Sequence, residues 1–155
     1  MILEKVFSPK TVILDLESSE KDELFEEMVE SIVAVQPGLN REKALAALRE
    51  RESKMSTGIM HAIAVPHGNC DSVTEAVGAI GISRKGVEYD SLDRAPVNVV
   101  FLILCNPGQP EAHLSVLKEL ATVLQNPNFV KEVMGKSTQQ EVYDLICSYK
   151  ESAQL

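Results

Sequence analysis

The feature that most constrains the fold is a nearly unbroken apolar run at residues 97–104, with the sequence Val-Asn-Val-Val-Phe-Leu-Ile-Leu. An alternating pattern would indicate a strand with one face in water, whereas a run this apolar is typical of a strand buried on both faces. Even the wider stretch 96–105 is far shorter than the roughly 18–20 apolar residues of a membrane span. We therefore expect a soluble chain with this segment at the centre of a sheet.

Three other segments, at residues 11–16, 63–65 and 77–82, are short and rich in β-branched or apolar residues, which predicts strands. The segment at 63–65 leads directly into Pro66, His67 and Gly68, which predict a loop. Strands that alternate with helices around a buried central strand indicate an α/β fold. We expect residues 1–155 to form one domain, with helices on both faces of the sheet.

Helical spacing of apolar residues predicts two helices in the first third of the chain. The first spans residues 17–33, and the sequence Gln-Pro-Gly at 36–38 ends it. Asn40 is a good N-cap residue for the second helix, which we expect to end near Arg51.

A long helix is predicted after Pro110 because apolar residues recur there with a helical period. They are Leu114, Leu117, Leu120, Ala121 and Leu124. A short helix at about 128–134 and a last helix that opens at Ser137 follow, and Gln140 would complete a capping box with Ser137.

Charge and cysteine content argue against several classes of function. A formal net charge of −8 disfavours nucleic acids and anionic membranes as partners, because both are bound largely through clustered Lys and Arg. Cys70, Cys105 and Cys147 are widely spaced and form no CxxC pair, so we expect free thiols. The first residues lack the pattern of a signal peptide, which predicts a cytoplasmic protein.

The three histidines, His61, His67 and His113, all lie in predicted loops or at the start of a helix. Loops at strand ends are where α/β folds place their sites. Pro66 fixes the backbone before His67, and we expect Gly68 to leave open space after it for an incoming anion. A neutral imidazole in that setting can attack phosphorus and form a phosphoramidate without a metal. A structural role for each histidine is the alternative.

A transferred phosphoryl group carries negative charge on three oxygens, so the site needs fixed donors. Arginine suits this role because its planar fork matches phosphoryl geometry. Arg51 is the better placed candidate, since Ser56, Thr57 and Gly58 follow it, whereas Arg49 would face solvent. His113, in the first turn of the helix after Pro110, is a candidate donor to a phosphoryl oxygen. Both arginines and His113 could instead be surface residues.

Two stretches taken together resemble the signature of enzyme IIA of the fructose/mannitol type of the sugar phosphotransferase system. They are Arg-Glu-Arg-Glu-Ser-Lys-Met-Ser-Thr-Gly-Ile at 49–59 and Ile-Ala-Val-Pro-His-Gly at 63–68. The sequence Glu-Ala-His-Leu at 111–114 and the opening segment 3–16 match as well, so the resemblance spans nearly the whole chain.

The resemblance implies that His67 accepts a phosphoryl group on Nε2 from the phosphocarrier HPr and passes it to a cysteine of an enzyme IIB domain, with a membrane enzyme IIC acting indirectly. Arg51 and His113 would assist, and Thr57, His61 and Gly68 are further candidate binding residues. The implied fold is a mixed, mostly five-stranded sheet with helices on both faces and His67 in a shallow depression. No cofactor and no nucleic acid are implied.

The chain departs from the family pattern just before the Ile-Ala-x-Pro-His motif. Relatives usually have glycine, then asparagine or glutamate, then glycine there, whereas this chain has Met60, His61 and Ala62. The loop would be stiffer, and His61 would replace a hydrogen-bond partner of His67 or change the pH dependence of transfer. Cys70 is expected to be a small buried thiol and no part of a relay.

Two other functions remain open from the sequence. A nitrogen-type regulatory enzyme IIA would share the fold and the histidine but signal through its phosphorylation state. A zinc enzyme would use His61, His67 and His113 as ligands, although His61 and His67 lack the i, i+4 spacing typical of helical zinc motifs. The sugar served and the oligomeric state do not follow from the sequence.

Overall fold

In the computed structural model, which describes residues 2–59 and 61–154, the chain forms a five-stranded mixed sheet with helices on both faces. The strands are β1 (Val12–Ile13), β2 (Ile63–Ala64), β3 (His67–Asn69), β4 (Val77–Val87) and β5 (Val97–Cys105). Their order is β1-β4-β5-β2, and β3 also pairs with β5. The predicted α/β class is confirmed.

The longest pairing of the sheet is the antiparallel ladder between β4 and β5, and every other pair is parallel. β2 and β3 lie one after the other along the same side of β5, with Ile63 opposite Val99 and His67 opposite Ile103. This register places the residues that follow β2 beside the carboxyl-terminal half of β5.

The central strand was correctly predicted from its apolar run. Residues of β5 alternate between the two cores, with Leu102 in one and Phe101 and Ile103 in the other, and each is fully buried. The polar exception, Asn98, is half-buried and donates from Nδ2 to the carbonyl of Ser83 at 2.8 Å. A strand with both faces covered therefore explains the absence of alternation in the sequence.

Six α-helices cover the sheet in the part of the chain that the structure describes. They are α1 (Leu3–Val6), α2 (Lys21–Val33), α3 (Arg41–Lys54), α4 (Pro110–Leu124), α5 (Phe129–Met134) and α6 (Gln139–Gln154). Side chains of α2 and α3 pack into one core, and those of α1, α4, α5 and α6 pack into the other. Within the described residues, no helix combines the length and the hydrophobicity that crossing a bilayer requires.

The first predicted strand and helix were too long. Only Val12–Ile13 is strand, preceded by a 3₁₀ turn at Pro9–Thr11, and α2 begins at Lys21. The backbone N–H groups of Glu17 and Ser18 donate to the carboxylate of Glu27, each at 3.0 Å. These donors are satisfied by a side chain of α2 and stay outside the helix.

Other predicted boundaries shift by a few residues. Asn40 is the N-cap of α3, with its side chain accepting from the N–H of Lys43 at 3.0 Å, but the helix ends at Lys54 and not near Arg51. β4 continues to Val87, beyond the predicted end at 82, because it follows β5 through the whole antiparallel ladder. Strand β2 stops at Ala64, one residue earlier than predicted, and β5 extends to Cys105.

The last helix is capped one residue later than predicted. The Thr138 hydroxyl accepts from the N–H of Glu141 at 3.1 Å, so Thr138 and Glu141 replace Ser137 and Gln140. The apolar face of α4 agrees with the predicted one in part: Leu120 is buried in the core, and Leu117 and Leu124 pack against it, but Leu114 is 54% exposed. Val116 and Val123, which were not predicted, are also buried. Leu117, Ala121 and Leu124, which were also predicted for the apolar face of α4, line the depression described next.

Candidate functional site

An open depression of about 570 Å³ lies between α3, the segment 55–67 and α4. It is lined by Arg51, Met55, Ser56, Thr57, Ile59, His61, Ile63, Val65, His67, Leu92, Leu117, Leu120, Ala121, Leu124 and Gln125. A larger depression of about 710 Å³ beside the first turn of α4 has no histidine among its described lining residues. The chemistry, and not the volume, therefore identifies the site.

His67 is the first residue of β3 and not part of a loop, which corrects the prediction from Pro66-His67-Gly68. Three residues with little strand propensity form a strand here because β5 offers an unpaired edge. The carbonyl of Pro66 accepts from the N–H of Ile103 at 3.0 Å, which continues the pairing just before the histidine. His67 is therefore held on the sheet by its main chain.

The ring of His67 is oriented by a hydrogen bond to its own segment. Nδ1 lies 2.7 Å from the carbonyl oxygen of Val65, and since a carbonyl can only accept, Nδ1 carries the proton. In the neutral ring Nε2 then has its lone pair free. This is the tautomer that a nucleophilic Nε2 requires.

Gly68 is buried and does not provide open space for an anion, contrary to the prediction. A Cβ at this position would lie 2.9 Å from the carbonyl carbon and 3.0 Å from the carbonyl oxygen of Ala47 in α3. Glycine is needed here because β3 passes directly over the backbone of α3. Gly68 thus sets the distance between the histidine strand and the helix that carries Arg51.

His113 is half-buried in the first turn of α4 and lies beside His67. The ring centroids are 5.5 Å apart with an interplanar angle of 88°, an edge-to-face contact. Nδ1 of His113 lies 3.2 Å from Oδ1 of Asn69, which follows His67 by two residues. The structure therefore brings together the two histidines that the sequence singled out as nucleophile and helper.

Arg51 lines the same depression from the last turn of α3. One of its guanidinium nitrogens, Nη1, donates to the carbonyl of Met55 at 2.9 Å, which turns the side chain back over the end of the helix. Arg49 lies elsewhere, paired with Asp22 at 3.4 Å and Glu26 at 3.3 Å on α2. The distinction that the sequence suggested between the two arginines is thus observed.

The electrostatics of the depression favour neutral histidines. Burial has the largest effect on His67 and lowers its pKa, and the nearby charge of Arg51 lowers it further. The hydrogen bond to Val65 and the charge of Glu52 raise the pKa, but the net result is a lowered pKa. Burial also lowers the pKa of His113, and His67 adds to that effect. Both rings are therefore biased toward the neutral form near pH 7.

Thr57 is buried at the floor of the depression, in a polar group that the sequence analysis did not detect. Its N–H and hydroxyl both contact the carboxylate of Glu52, at 2.9 and 2.7 Å, and its Oγ1 lies 2.7 Å from the Tyr89 hydroxyl. Lys21 lies 3.3 Å from Glu52. Glu52 and Thr57 are five residues apart, and Tyr89 lies two residues after the end of β4, so no local pattern links the three.

His61 is exposed and lies on the rim of the depression. His61 and Ala62 have φ values of 57° and 66°, in the left-handed region that glycine adopts easily and other residues adopt at a cost. The carbonyl of Ala62 accepts from the N–H groups of Asn98 and Val99, which fixes this conformation. Although His61 and Ala62 differ from the residues usual in the family, they form a turn of the kind that glycine favours. Met60, the third residue that differs, lies outside the described residues.

Cys70, Cys105 and Cys147 form no disulfide with one another within the described residues, and Cys70 is buried, as predicted. Its Sγ lies 3.1 Å from the hydroxyl of Ser72, away from the lining of the depression. Across residues 2–59 and 61–154, no three His, Cys, Asp or Glu side chains are grouped closely enough to hold a metal ion. The three-histidine zinc hypothesis therefore has no supporting geometry in that part of the chain.

Comparison with known proteins shows which family this chain resembles. The family model described as phosphoenolpyruvate-dependent sugar phosphotransferase system, EIIA 2, matches residues 5–149. The fructose-specific EIIABC component of the phosphotransferase system of Bacillus subtilis is 33% identical over 94% of this chain. The match spans 23% of the length of that relative.

Two solved structures share the fold. The nitrogen regulatory protein IIA-Ntr of Neisseria meningitidis is 28% identical, with a TM-score of 0.87 over 94% of this chain and 99% of that one. The complex of enzyme IIA mannitol with phosphorylated enzyme IIB mannitol of Escherichia coli aligns with a TM-score of 0.77 at 19% identity, over 92% of this chain and 99% of the other. Fold, site motif and family model agree: the chain belongs to the EIIA 2 family of the phosphoenolpyruvate-dependent sugar phosphotransferase system.

Proposed function

We propose that this chain is a cytoplasmic phosphoryl carrier, in which Nε2 of His67 accepts a phosphoryl group from HPr and passes it to a cysteine of an enzyme IIB. A membrane enzyme IIC would take part indirectly, by receiving the sugar. The observation that carries the proposal is the hydrogen bond from Nδ1 of His67 to the Val65 carbonyl, at 2.7 Å. It fixes the tautomer whose free lone pair is on Nε2.

Transfer requires that the bond from phosphorus to the donor breaks as the bond from phosphorus to Nε2 forms. The neutral ring attacks without losing a proton, because its proton is on Nδ1 and stays there. Arg51 lines the same depression as His67 and offers N–H donors to the phosphoryl oxygens. His113, in edge-to-face contact with His67, would offer its Nδ1–H, which would leave Asn69 for a phosphoryl oxygen. The lowered pKa of His67 keeps the ring in the form that attacks.

The surroundings of His67 suit protein partners better than a small substrate. The depression is open, and three large apolar side chains on its rim are strongly exposed, with Met55 at 60%, Leu92 at 58% and Ile59 at 41%. Exposed apolar groups next to a reactive side chain are typical of a docking surface. The solved complex of a related fold with enzyme IIB supports that choice of acceptor.

The test is phosphoryl transfer from purified phospho-HPr. We expect one acid-labile, base-stable phosphoryl group on the wild-type chain, no label on the His67→Ala variant, and onward transfer to a purified enzyme IIB. Label retained by His67→Ala, with the fold intact by circular dichroism, would refute the proposal.

A regulatory function is the second candidate, favoured by the similarity to a nitrogen regulatory protein at a TM-score of 0.87 and 28% identity. In that case the same phosphoryl group would act as a signal, and the unphosphorylated form would bind a kinase or a potassium transporter. Phosphorylation by HPr without onward transfer to any enzyme IIB would favour this function over transport.

A further inference from the structure

Glu52 is a buried carboxylate beside the site, although it does not line the depression. It is 9% exposed and lies next to Arg51 in the last turn of α3. Three donors reach its oxygens: the N–H of Thr57 at 2.9 Å, the Thr57 hydroxyl at 2.7 Å and Nζ of Lys21 at 3.3 Å. A carboxylate with several donors is well satisfied only in its ionised form.

A second hydrogen bond holds Thr57 from the opposite side. Because the Thr57 hydroxyl proton goes to Glu52, its oxygen accepts from the Tyr89 hydroxyl, at 2.7 Å. Nζ of Lys21 lies 4.6 Å from the centroid of the Tyr89 ring. Thr57 is therefore held directly by two side chains, Glu52 of α3 and Tyr89, which follows β4 by two residues. Lys21 of α2 contacts both of these side chains and not Thr57 itself.

Thr57 is connected to His67 through one residue. The carbonyl of Thr57 accepts from the N–H of Val65 at 3.0 Å, and the carbonyl of Val65 accepts from Nδ1 of His67 at 2.7 Å. The hydrogen bond that sets the tautomer of His67 is therefore made by Val65. The position of Val65 depends on Thr57, and the position of Thr57 depends on Glu52.

We propose that Glu52 is a positioning residue for phosphoryl transfer, which acts through Thr57 and Val65 to hold the ring of His67. The proposal rests on the proposed function of His67. Glu52 also supplies a negative charge, which opposes the effect of the Arg51 charge on the pKa of His67. The charged or titratable groups that face His67 are Arg51 and Glu52 from α3 and His113 from α4.

The variant that tests this is Glu52→Gln, with Glu50→Gln as the matched control. Both remove one charge from the same helix, but Glu50 is exposed and outside the depression. A glutamine offers one acceptor oxygen in place of two, so Thr57 loses a partner. We expect Glu52→Gln to lower the pKa of His67, to reduce its Nδ1–H tautomer and to slow phosphoryl acceptance about tenfold with the KM for phospho-HPr unchanged.

Thr57→Val and Thr57→Ser separate positioning from folding. Valine removes the hydroxyl at nearly constant volume and should slow acceptance as Glu52→Gln does, whereas serine keeps the hydroxyl and should restore the wild-type rate. Thermal unfolding of all variants identifies those that have lost the fold. If serine and valine were equally slow while both remained folded, the hydroxyl would have no positioning role.

The decisive measurement is an imidazole ¹⁵N NMR titration, because it needs no phosphoryl donor. If His67 had the same pKa and the same tautomer in Glu52→Gln as in Glu50→Gln, Glu52 would have no positioning role. The proposed function of His67 would still stand. A wild-type chain that accepts no phosphoryl group would overturn the proposed function instead, and with it the role of Glu52 in transfer.

Discussion

The two histidines of the depression are held in different ways. His67 lies on a strand, and its ring is bonded at 2.7 Å to a main-chain carbonyl that is itself part of a hydrogen-bonded set. His113 lies on the first turn of a helix, and its ring contacts the side chain of exposed Asn69 at 3.2 Å. Under the proposed function, this contrast would give a fixed nucleophile, His67, beside a donor, His113, whose ring is held only by a side chain.

The largest effect should come from removing each ring in turn. His67→Gln should abolish phosphoryl acceptance, because no other nucleophile is held in that position. His113→Gln should leave acceptance measurable but about 10²-fold slower, the usual loss for one donor to a transition-state oxygen. Single-turnover transfer from phospho-HPr measures both rates. Equal loss in the two variants would end the distinction between a nucleophile and a helper.

The fixed backbone of His67 can be tested at Gly68. Gly68→Ala places a methyl group against the backbone of Ala47, at 2.9 Å from its carbonyl carbon, so the free energy of unfolding should fall by about 1–3 kcal/mol. Gly38→Ala is the matched control, because no atom lies within 4 Å of a Cβ there. Urea denaturation compares the two, and similar stability in both variants would show that β3 is not tightly packed on α3.

A substitution in the turn that precedes β2 should raise the free energy of unfolding, whereas Gly68→Ala should lower it. Ala62 has a φ of 66°, so Ala62→Gly should raise the free energy of unfolding by about 0.5–1 kcal/mol, the relief of the left-handed conformation less the added flexibility of the unfolded chain. Ala46→Gly, the same substitution on the exposed face of α3, should lower it by about 1 kcal/mol. A loss of stability at both positions would contradict the assigned backbone conformation.

The smallest expected effect is the pH dependence of the free energy of unfolding. Since the pKa of His67 is lowered in the folded protein, its titration midpoint should lie below that of a histidine in the unfolded chain, about 6.5. The unfolded state then binds the proton more tightly, so the free energy of unfolding should fall as the pH drops from about 6.5 through the folded pKa. NMR titration in water and in urea compares the midpoints, and a folded midpoint above the unfolded one would show that burial does not dominate.

The parts predicted correctly from the sequence depend on local patterns. The apolar run at 97–104 identified β5 as the central strand, and Asn40 was correctly predicted as a cap. His67, which the Pro66-His67-Gly68 motif singled out, lines the depression, and its role as a nucleophile stays a prediction. Each of these depends on residues within a few positions of one another. The resemblance to enzyme IIA then gave the five-stranded mixed sheet, which is also observed.

The parts that were missed depend on tertiary contacts. β3 is a strand because it pairs with β5, and nothing in the sequence His-Gly-Asn favours that state. The space after Gly68 is filled by Ala47, a residue 21 positions earlier in the numbering, and Glu52, Thr57 and Tyr89 meet only after α3 and β4 have packed. A glutamate among charged neighbours in a helix gives no sign in the sequence that its carboxylate is buried.

The most direct test of the central claim is to determine which ring nitrogen carries the phosphoryl group. After transfer from phospho-HPr, ¹H–¹⁵N correlation spectra of the imidazole groups should show phosphorus on Nε2 of His67, with Nδ1 still protonated and bonded to the Val65 carbonyl. Phosphorus on Nδ1 of His67, or on the ring of His61 or His113, would contradict the account.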